Sequence, residues 1–189
     1  MARLGGFLHD TSLARAASEE PFLKHFWHRV PWLLLGLAGA LVAADIVDAF
    51  ERQLQANVVL VFFIPGIVYL ADAVGTQTET LLIRGLSVGV PIGRVLRREI
   101  FTGLAIGLAL AAVFYPVALW RWNGGGIAAA VSLAIFAACA TASSVAMALP
   151  WIFHRMGIDP AFGSGPLATV IQDLLSIAIY LAIATALLT

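Results

Sequence analysis

The chain has 189 residues, of which 61% are apolar and only 12% are charged, and its mean hydropathy is +0.94. Soluble domains carry about 25% charged residues, so this composition excludes a soluble protein and indicates an integral membrane protein. Eleven basic and eleven acidic side chains cancel. This balance argues against a nucleic-acid partner, which would require a basic face.

The first 30 residues form a mixed, charged leader before the apolar part of the chain begins. Residues 18–21, with the sequence SEEP, are typical of a helix start, because a capping serine is followed by acidic residues. Phe22 and Phe26 follow at helical spacing. We therefore predict a leader, residues 1–30, whose short amphipathic helix lies at the membrane surface, and a transmembrane domain over residues 31–189.

Five apolar stretches follow, each long enough to cross a bilayer, which takes about 20 residues. The first covers residues 31–50 and carries Asp45 and Asp48 near its end. Asp48 either pairs with Arg52, one helical turn later, or forms with Asp45 a negative vestibule that concentrates cations. The sequence leaves both interpretations open.

The second stretch, residues 58–83, is apolar in its first half and polar in its second. Pro65 is expected to kink or loosen this helix, because proline lacks the backbone N–H that a helical hydrogen bond needs. Polar side chains recur on one helical face of the second half. They are Tyr69, Asp72, Thr76, Glu79 and Thr80. A stripe with carboxylates at membrane depth indicates a surface that faces other helices or water.

The third and fourth stretches, residues 99–120 and 127–153, are less polar. The fourth is rich in alanine and serine, as closely packed membrane helices are. Nine of the eleven lysines and arginines lie in residues 1–30, 84–98 and 154–163, and the opposite loops hold the other two. The positive-inside rule therefore predicts a cytoplasmic N-terminus and a C-terminus on the outside.

The fifth stretch, residues 164–189, carries Asp173 well inside an apolar run. Helical spacing places a polar stripe on one face of it. The stripe consists of Gly165, Thr169, Gln172, Asp173, Ser176 and Tyr180. An aspartate at the centre of a spanning helix costs about 2.5–3.5 kcal/mol on insertion scales, so this stripe is expected to face helices or water. Asp173 is either a functional ion-binding carboxylate or a group hydrogen-bonded between packed helices.

Two long motifs place polar residues at membrane depth: GTQTETLLIRGLS over residues 75–87 and GIDPAFGSGPLATVIQDLLSIAIYLAIATALL over residues 157–188. Together they resemble the membrane domain of the MgtE magnesium transporters. Pro65 and the pair Phe50-Glu51 fit the same pattern. The resemblance covers about residues 28–189.

The resemblance implies an all-α homodimer with five transmembrane helices in each protomer. It implies a cation pore between the protomers, lined by the second and fifth helices, with Asp173 as the ion-binding carboxylate and with Gly165, Pro166 and Thr169 along the same path. Two copies of Asp173 would face each other across the axis. A largely hydrated Mg²⁺, which gives up its water reluctantly, would relieve their repulsion.

The chain also departs from the family pattern. Family members can carry asparagine at the position of Gly165, and many have neutral residues where Asp72 and Glu79 stand. We predict two sets of functional residues. The metal ligands are Asp173, Thr169, Gly165, Glu79 and Asp72, and the pore-lining residues are Gln172, Ser176, Thr76, Tyr69 and Pro166. The added carboxylates extend the candidate cargo to other divalent ions.

Full-length family members carry cytosolic regulatory domains that sense Mg²⁺, for which residues 1–30 are too short. Gating is therefore expected to come from elsewhere, for example from a separate regulatory protein. The leader helix is either a plug at the cytosolic mouth or a plain membrane anchor.

The predicted function is a Mg²⁺ channel or transporter, multi-pass in the cell inner (plasma) membrane, with a second copy, the bilayer and divalent ions as partners. Mg²⁺ is here the transported ion. Two alternatives stay open: a proton-coupled carrier of broader selectivity that includes Mn²⁺ and Co²⁺, and a scaffold subunit without transport. The chain has no H-E-x-x-H pattern and lacks the motifs of intramembrane aspartyl proteases. An enzyme is not expected.

Overall fold

A computed structural model describes residues 21–87, 92–122, 124–156 and 164–188, and nearly all of them are helical. Six α-helices and one 3₁₀ segment make up these described parts. In chain order they are α1 (Phe22–Ala49), α2 (Glu51–Ala56), the 3₁₀ segment (Val58–Phe63), α3 (Ile64–Ser87), α4 (Ile92–Trp122), α5 (Gly125–Arg155) and α6 (Ser164–Leu188).

Five segments of the described residues are long and apolar enough to cross a membrane. They are Phe22–Ala49, Val58–Gly85, Val95–Trp122, Gly125–Phe153 and Gly165–Leu188. For the described residues, the prediction of an all-α fold with five helices able to cross a membrane is thereby confirmed. The orientation of the termini and the homodimer stay predictions.

The first span differs in extent from the sequence-based expectation. A short surface helix followed by a separate span is expected there, yet α1 runs without a break through Pro31. Proline removes one helical hydrogen bond, but membrane helices tolerate this loss. The expected capping residues 18–20 lie outside the described residues.

The described residues divide into two compact units between Leu34 and Leu35, inside α1. In the first unit, the Phe26 ring lies next to those of Phe22 and Trp27, with centroids 6.3 and 5.6 Å away. The second unit contains the remaining helices and the hydrophobic core. All candidate site residues belong to this second unit.

Helix α5 is the centre of the second unit and packs against α3, α4 and α6. Its small side chains let the neighbours approach closely, and Ala130, Ala134 and Ala138 are almost fully buried. On α4, a Cβ added at Gly107 would lie 3.1 Å from the Phe136 carbonyl oxygen. Lipid supplies no hydrophobic force between helices, so such close van der Waals packing holds them together. The alanine-rich stretch is thus the central helix of the core.

The second span begins as a 3₁₀ helix of six residues, Val58–Phe63, which α3 then continues. Pro65 is the second residue of α3 and directly follows Ile64, whose N–H donates a hydrogen bond to the Val61 carbonyl in the 3₁₀ segment. A 3₁₀ run longer than about four residues is uncommon. The expected loosening at Pro65 therefore takes the form of a change in helix type.

Candidate cation site

The second span and α6 lie side by side and antiparallel. In the pairs of residues that are in contact, the residue number rises along the second span while it falls along α6. They are Leu60 with Tyr180, Asp72 with Thr169, and Glu79 with Gly165. The structure therefore brings together part of each polar stripe seen in the sequence.

Tyr180 forms the contact at one end of this helix pair. Its hydroxyl donates a hydrogen bond of 2.7 Å to the backbone carbonyl of Leu60. Tyr180 is fully buried and Leu60 nearly so. Because Leu60 lies in the middle of the 3₁₀ segment, this bond ties the segment to α6. The hydroxyl of a buried tyrosine needs such a partner, so Tyr180 is a packing member of the stripe.

Asp72 and Thr169 meet near the middle of the pair. The Thr169 hydroxyl donates a hydrogen bond of 3.2 Å to a carboxylate oxygen of Asp72, and both side chains are half-buried. The Asp72 carboxylate also repels that of Asp173, one helical turn further along α6. Two negative charges from two helices thus occupy one region, and a cation near both would be attracted by both.

Glu79 and Gly165 meet at the other end. The Glu79 side chain is buried on α3, and its carboxylate faces Gly165. A Cβ added at Gly165 would lie 3.8 and 3.9 Å from the two carboxylate oxygens, which is an ordinary contact distance. Gly165 has no side chain that could bind a cation, so Glu79 is the residue of this pair whose side-chain oxygens could do so.

Gln172 and Ser176, two predicted pore-lining residues, are buried between the helices at 2% and 1% exposure. Gln172 packs so tightly against α3 that any Cβ at Gly75 would overlap its amide group. Within the described part of the chain, the amide oxygen of Gln172 has no hydrogen-bond partner. Both residues fill the interior of the protomer and do not line an open surface.

The other predicted pore-lining residues lie on the protomer surface. Tyr69 is 71% exposed, and Thr76 and Pro166 are also exposed. The stripe predicted on α3 is therefore split: Asp72 and Glu79 turn toward α6, whereas Tyr69 and Thr76 turn away from the core.

Asp173 is half-buried and lines a small cavity of about 200 Å³. Gly36, Gly39 and Ala40 of α1 line the same cavity. Gly39 is needed at this point, because a Cβ there would overlap the Val170 side chain. Small residues on α1 thus leave space beside the carboxylate, and Asp173 has open volume next to it.

A large, open cavity of about 650 Å³ is lined by Asp48 and Glu51 among mostly apolar residues. Glu51 accepts a hydrogen bond of 2.8 Å from the Gln55 amide, which lines the same cavity. Asp45 is exposed and lies outside this lining. Asp48 thus lines this cavity together with Glu51, and the negative vestibule and the pair with Arg52 both stay predictions.

No group of three histidine, cysteine or acidic residues that could enclose a metal lies within the described ranges. Mg²⁺ usually keeps several of its waters and is held through one or two carboxylates. The separate carboxylates of Asp72 and Asp173 suit a cation that is held through its water shell.

Sequence reasoning missed Glu51 and the glycines of α1 as parts of these cavities. Glu51 follows Asp48 by three residues, and this spacing was the available signal. Gly36 and Gly39 lie in an apolar run, where small residues allow close helix approach. A sequence pattern alone does not name the helix that approaches.

The part of the chain that carries the candidate site is also the part that matches known proteins. Residues 64–183 match the profile of the MgtE family, described as divalent cation transporter. The chain is similar to the proteins named magnesium transporter MgtE from Bacillus subtilis, Thermus thermophilus and Enterococcus faecalis, with 34%, 32% and 30% identity. The alignments cover 85%, 85% and 89% of this chain but 36%, 36% and 38% of those relatives. The chain thus spans little more than a third of their length. The resemblance inferred from the two sequence motifs is confirmed.

Proposed function

Since the chain belongs to the MgtE family of divalent cation transporters, we propose that it carries divalent cations across a membrane, with Mg²⁺ as the principal cargo. The name magnesium transporter, which three similar proteins carry, supports this choice of ion. The family is one of transporters, and the expectation that the chain is not an enzyme is confirmed.

The observation that supports this proposal most is the open volume beside Asp173. Its carboxylate lies within the span Gly165–Leu188 and lines a cavity of about 200 Å³. At about 30 Å³ for each water in the liquid, six waters occupy about 180 Å³. The cavity is therefore comparable in size to the water shell of Mg²⁺. An acid that only joined two helices would need no such space.

The proposed site holds the ion through its waters. Waters bound to a cation direct their hydrogens outward, so the protein must offer hydrogen-bond acceptors. Asp173 supplies carboxylate oxygens next to the small cavity, and Asp72, held by Thr169, supplies a second negative charge nearby. Glu79 supplies a further acceptor beside Gly165. The chain's side chains thus bind a hydrated divalent ion without stripping it.

The proposed assembly is a homodimer in which two copies of Asp173 face each other across a pore. Polar residues exposed on α3 support it, because Thr76, Gln77 and Thr80 lie within a membrane span and yet on the protomer surface. Polar groups at membrane depth usually face protein or water-filled space. A second protomer and the pore water would cover them.

A proton-coupled carrier of broader selectivity is the second candidate. The buried carboxylate of Glu79 within the span favours it, because acids at membrane depth also relay protons. The additional charges of Asp72 and Glu79 would extend the cargo to Mn²⁺ and Co²⁺. In either form, the proposed location is the plasma membrane.

The test is divalent-cation flux into liposomes that contain only this protein. We expect Mg²⁺ uptake by the wild type and a loss of at least about tenfold in Asp173→Ala and Asp173→Asn, with the dimer preserved in crosslinking. Uptake that is independent of a pH gradient identifies a channel, and uptake that requires the gradient identifies the coupled carrier. Normal uptake by Asp173→Ala would refute the assignment of Asp173, and absence of wild-type uptake would favour the scaffold subunit.

A further inference from the structure

The 3₁₀ segment at the start of the second span is anchored on two sides. The hydroxyl of Tyr180 on α6 donates a hydrogen bond of 2.7 Å to the Leu60 carbonyl. The Phe63 ring lies edge-on against Phe114 and Trp122 of α4, with ring centroids 5.5 and 4.8 Å away. Leu60 and Phe63 are both buried, at 2% and 8% exposure. The segment is therefore held to α6 at one residue and to α4 at another.

The sequence itself disfavours α-helical winding at the end of this segment. In an α-helix, the Val61 carbonyl would accept a hydrogen bond from the residue four positions later, which is Pro65 and has no N–H. The Ile64 N–H donates to the Val61 carbonyl instead, as in a 3₁₀ helix. Pro65 and Tyr180 therefore act on the same short stretch, one through the backbone and the other through a side chain.

We propose that Tyr180 is a positioning residue for the cation site, because its bond to Leu60 preserves the 3₁₀ winding that turns the Asp72 carboxylate toward α6. This inference rests on the proposed function and deepens it. Tyr180 contacts no ion in this role, since it is fully buried and forms the contact at the far end of the helix pair. It acts through the helix that carries Asp72.

The winding of the segment decides which face α3 presents to α6. A 3₁₀ helix turns about 120° per residue and an α-helix about 100°. Over the four steps from Leu60 to Ile64, the difference amounts to about 80°. If Leu60 stays buried where it is, α-helical winding would turn α3 back by about 80° and move Asp72 away from Thr169. Ala73, which lies about 100° further round the helix, would then point close to the direction that Asp72 has now.

The alternative is that Tyr180 only packs the core, where the hydroxyl of any buried tyrosine needs a partner. Tyr180→Phe removes the hydroxyl and keeps the ring, and Pro65→Ala restores the N–H that α-helical winding needs. Packing alone predicts less folded protein, and hence a lower maximal flux at an unchanged half-saturating Mg²⁺ concentration. Positioning predicts a higher half-saturating concentration at a maximal flux close to that of the wild type.

Flux into liposomes distinguishes the two roles. We expect Tyr180→Phe to raise the half-saturating Mg²⁺ concentration about threefold to tenfold, because it withdraws the Asp72 charge from the ion, and Pro65→Ala to shift it in the same direction. Tyr115→Phe makes the same change at an exposed position of α4 and should match the wild type. If Tyr180 acts through Asp72, Tyr180→Phe has no further effect when Asp72→Asn is already present. Equal shifts in both backgrounds would overturn the inference.

Thiol crosslinking tests the orientation of α3 without transport. Thr169→Cys is paired with Asp72→Cys in one protein and with Ala73→Cys in another. Both proteins lack the native Cys139, and a short bifunctional thiol reagent joins the two cysteines of one chain. The first pair should react faster when Tyr180 is present, since the native side chains at these positions are in contact. We expect Tyr180→Phe to lower the ratio of the first rate to the second at least about tenfold, and the control substitution on α4 to leave it unchanged.

The two readouts separate the failure of this inference from the failure of the proposed function. A ratio that Tyr180→Phe changes, in a protein without any flux, supports the orientation of α3 by Tyr180 and overturns transport. An unchanged ratio overturns the inference, and transport stands if flux still depends on Asp173. A changed ratio with a half-saturating Mg²⁺ concentration equal to that of the wild type would also overturn the positioning role.

Discussion

The hydroxyl of Thr169 on α6 donates a hydrogen bond of 3.2 Å to the carboxylate of Asp72 on α3. This contact joins the two helices that carry the candidate ligands, at the depth where Asp72 also repels Asp173. A threonine in a membrane helix can instead bond its own backbone, as Thr80 does to the carbonyl of Thr76 at 2.8 Å. Thr169 instead donates its hydrogen bond to the neighbouring helix and thereby orients the Asp72 carboxylate.

Thr169→Val removes that hydroxyl at nearly constant volume. Interhelical hydrogen bonds in membranes are worth about 0.6 kcal/mol on average and at most about 1.7 kcal/mol, because the separated helices also find partners. We expect a loss of unfolding free energy in this range, measured by reversible unfolding in mixed micelles. Thr169→Ser should recover most of the loss. An equal loss in Thr169→Val when Asp72→Asn is already present would show that the two groups are not coupled.

Gly75→Ala tests the close contact between α3 and Gln172. A Cβ at Gly75 overlaps the Gln172 amide, and overpacking of this kind costs about 1–3 kcal/mol. We expect lower thermal stability in detergent for Gly75→Ala. Gly66→Ala is the control on the same helix, because nothing lies within 4 Å of a Cβ there. If both variants behave alike, the cost reflects glycine itself and not the contact.

Asp72→Asn and Glu79→Gln each remove one negative charge from the proposed path while preserving side-chain shape. The loss of a charge near a divalent ion should lower apparent affinity about tenfold, since the effective interaction in a protein is of the order of kcal/mol. We expect weaker competition by Mn²⁺, Co²⁺ and Ca²⁺ against Mg²⁺ uptake, with maximal flux retained. Competition profiles that match the wild type would remove both residues from the path.

Asp48→Asn tests the negative vestibule. A cleft lined by one sign of charge raises the local concentration of counter-ions, and salt screens this effect. We expect the half-saturating Mg²⁺ concentration to rise severalfold at low ionic strength and the difference to shrink as salt is added. Asp45→Asn is the matched control, because Asp45 lies outside the large cavity. The same shift in both variants would indicate surface charge in general and not the cavity.

The spans, and Asp173 as a candidate ligand, can be predicted from the sequence because both depend on local chemistry. Twenty apolar residues have few alternatives to a spanning helix, and a carboxylate among them must find partners or water. For this reason Asp173 and Asp72 could be singled out before any contact was known. The sequence also predicted in part that the two polar stripes face each other, and the contact between Asp72 and Thr169 agrees with this.

The cavities could not be read from the sequence, because each depends on where α1 lies. Gly39 leaves room for the Val170 side chain, and Glu51 lines the same cavity as Asp48. In the sequence, however, Gly39 looks like any other glycine and Glu51 like any acidic residue at a helix end. The split of the α3 stripe was equally hidden. Tyr69 and Glu79 fall within one broad arc of a helical projection, and only the packing of α6 separates a buried side from an exposed one.

The tight winding at the start of the second span fixes how deep its charges lie. A 3₁₀ helix rises about 2.0 Å per residue and an α-helix 1.5 Å, so the six residues of Val58–Phe63 advance the chain by about 12 Å instead of about 9 Å. The difference of about 3 Å equals two residues of α-helix. Wound as an α-helix from Val58, the span would bring Val74 to the depth that Asp72 now occupies. The axial register of the carboxylate opposite Thr169 is therefore set by the pitch of a stretch that is itself entirely apolar.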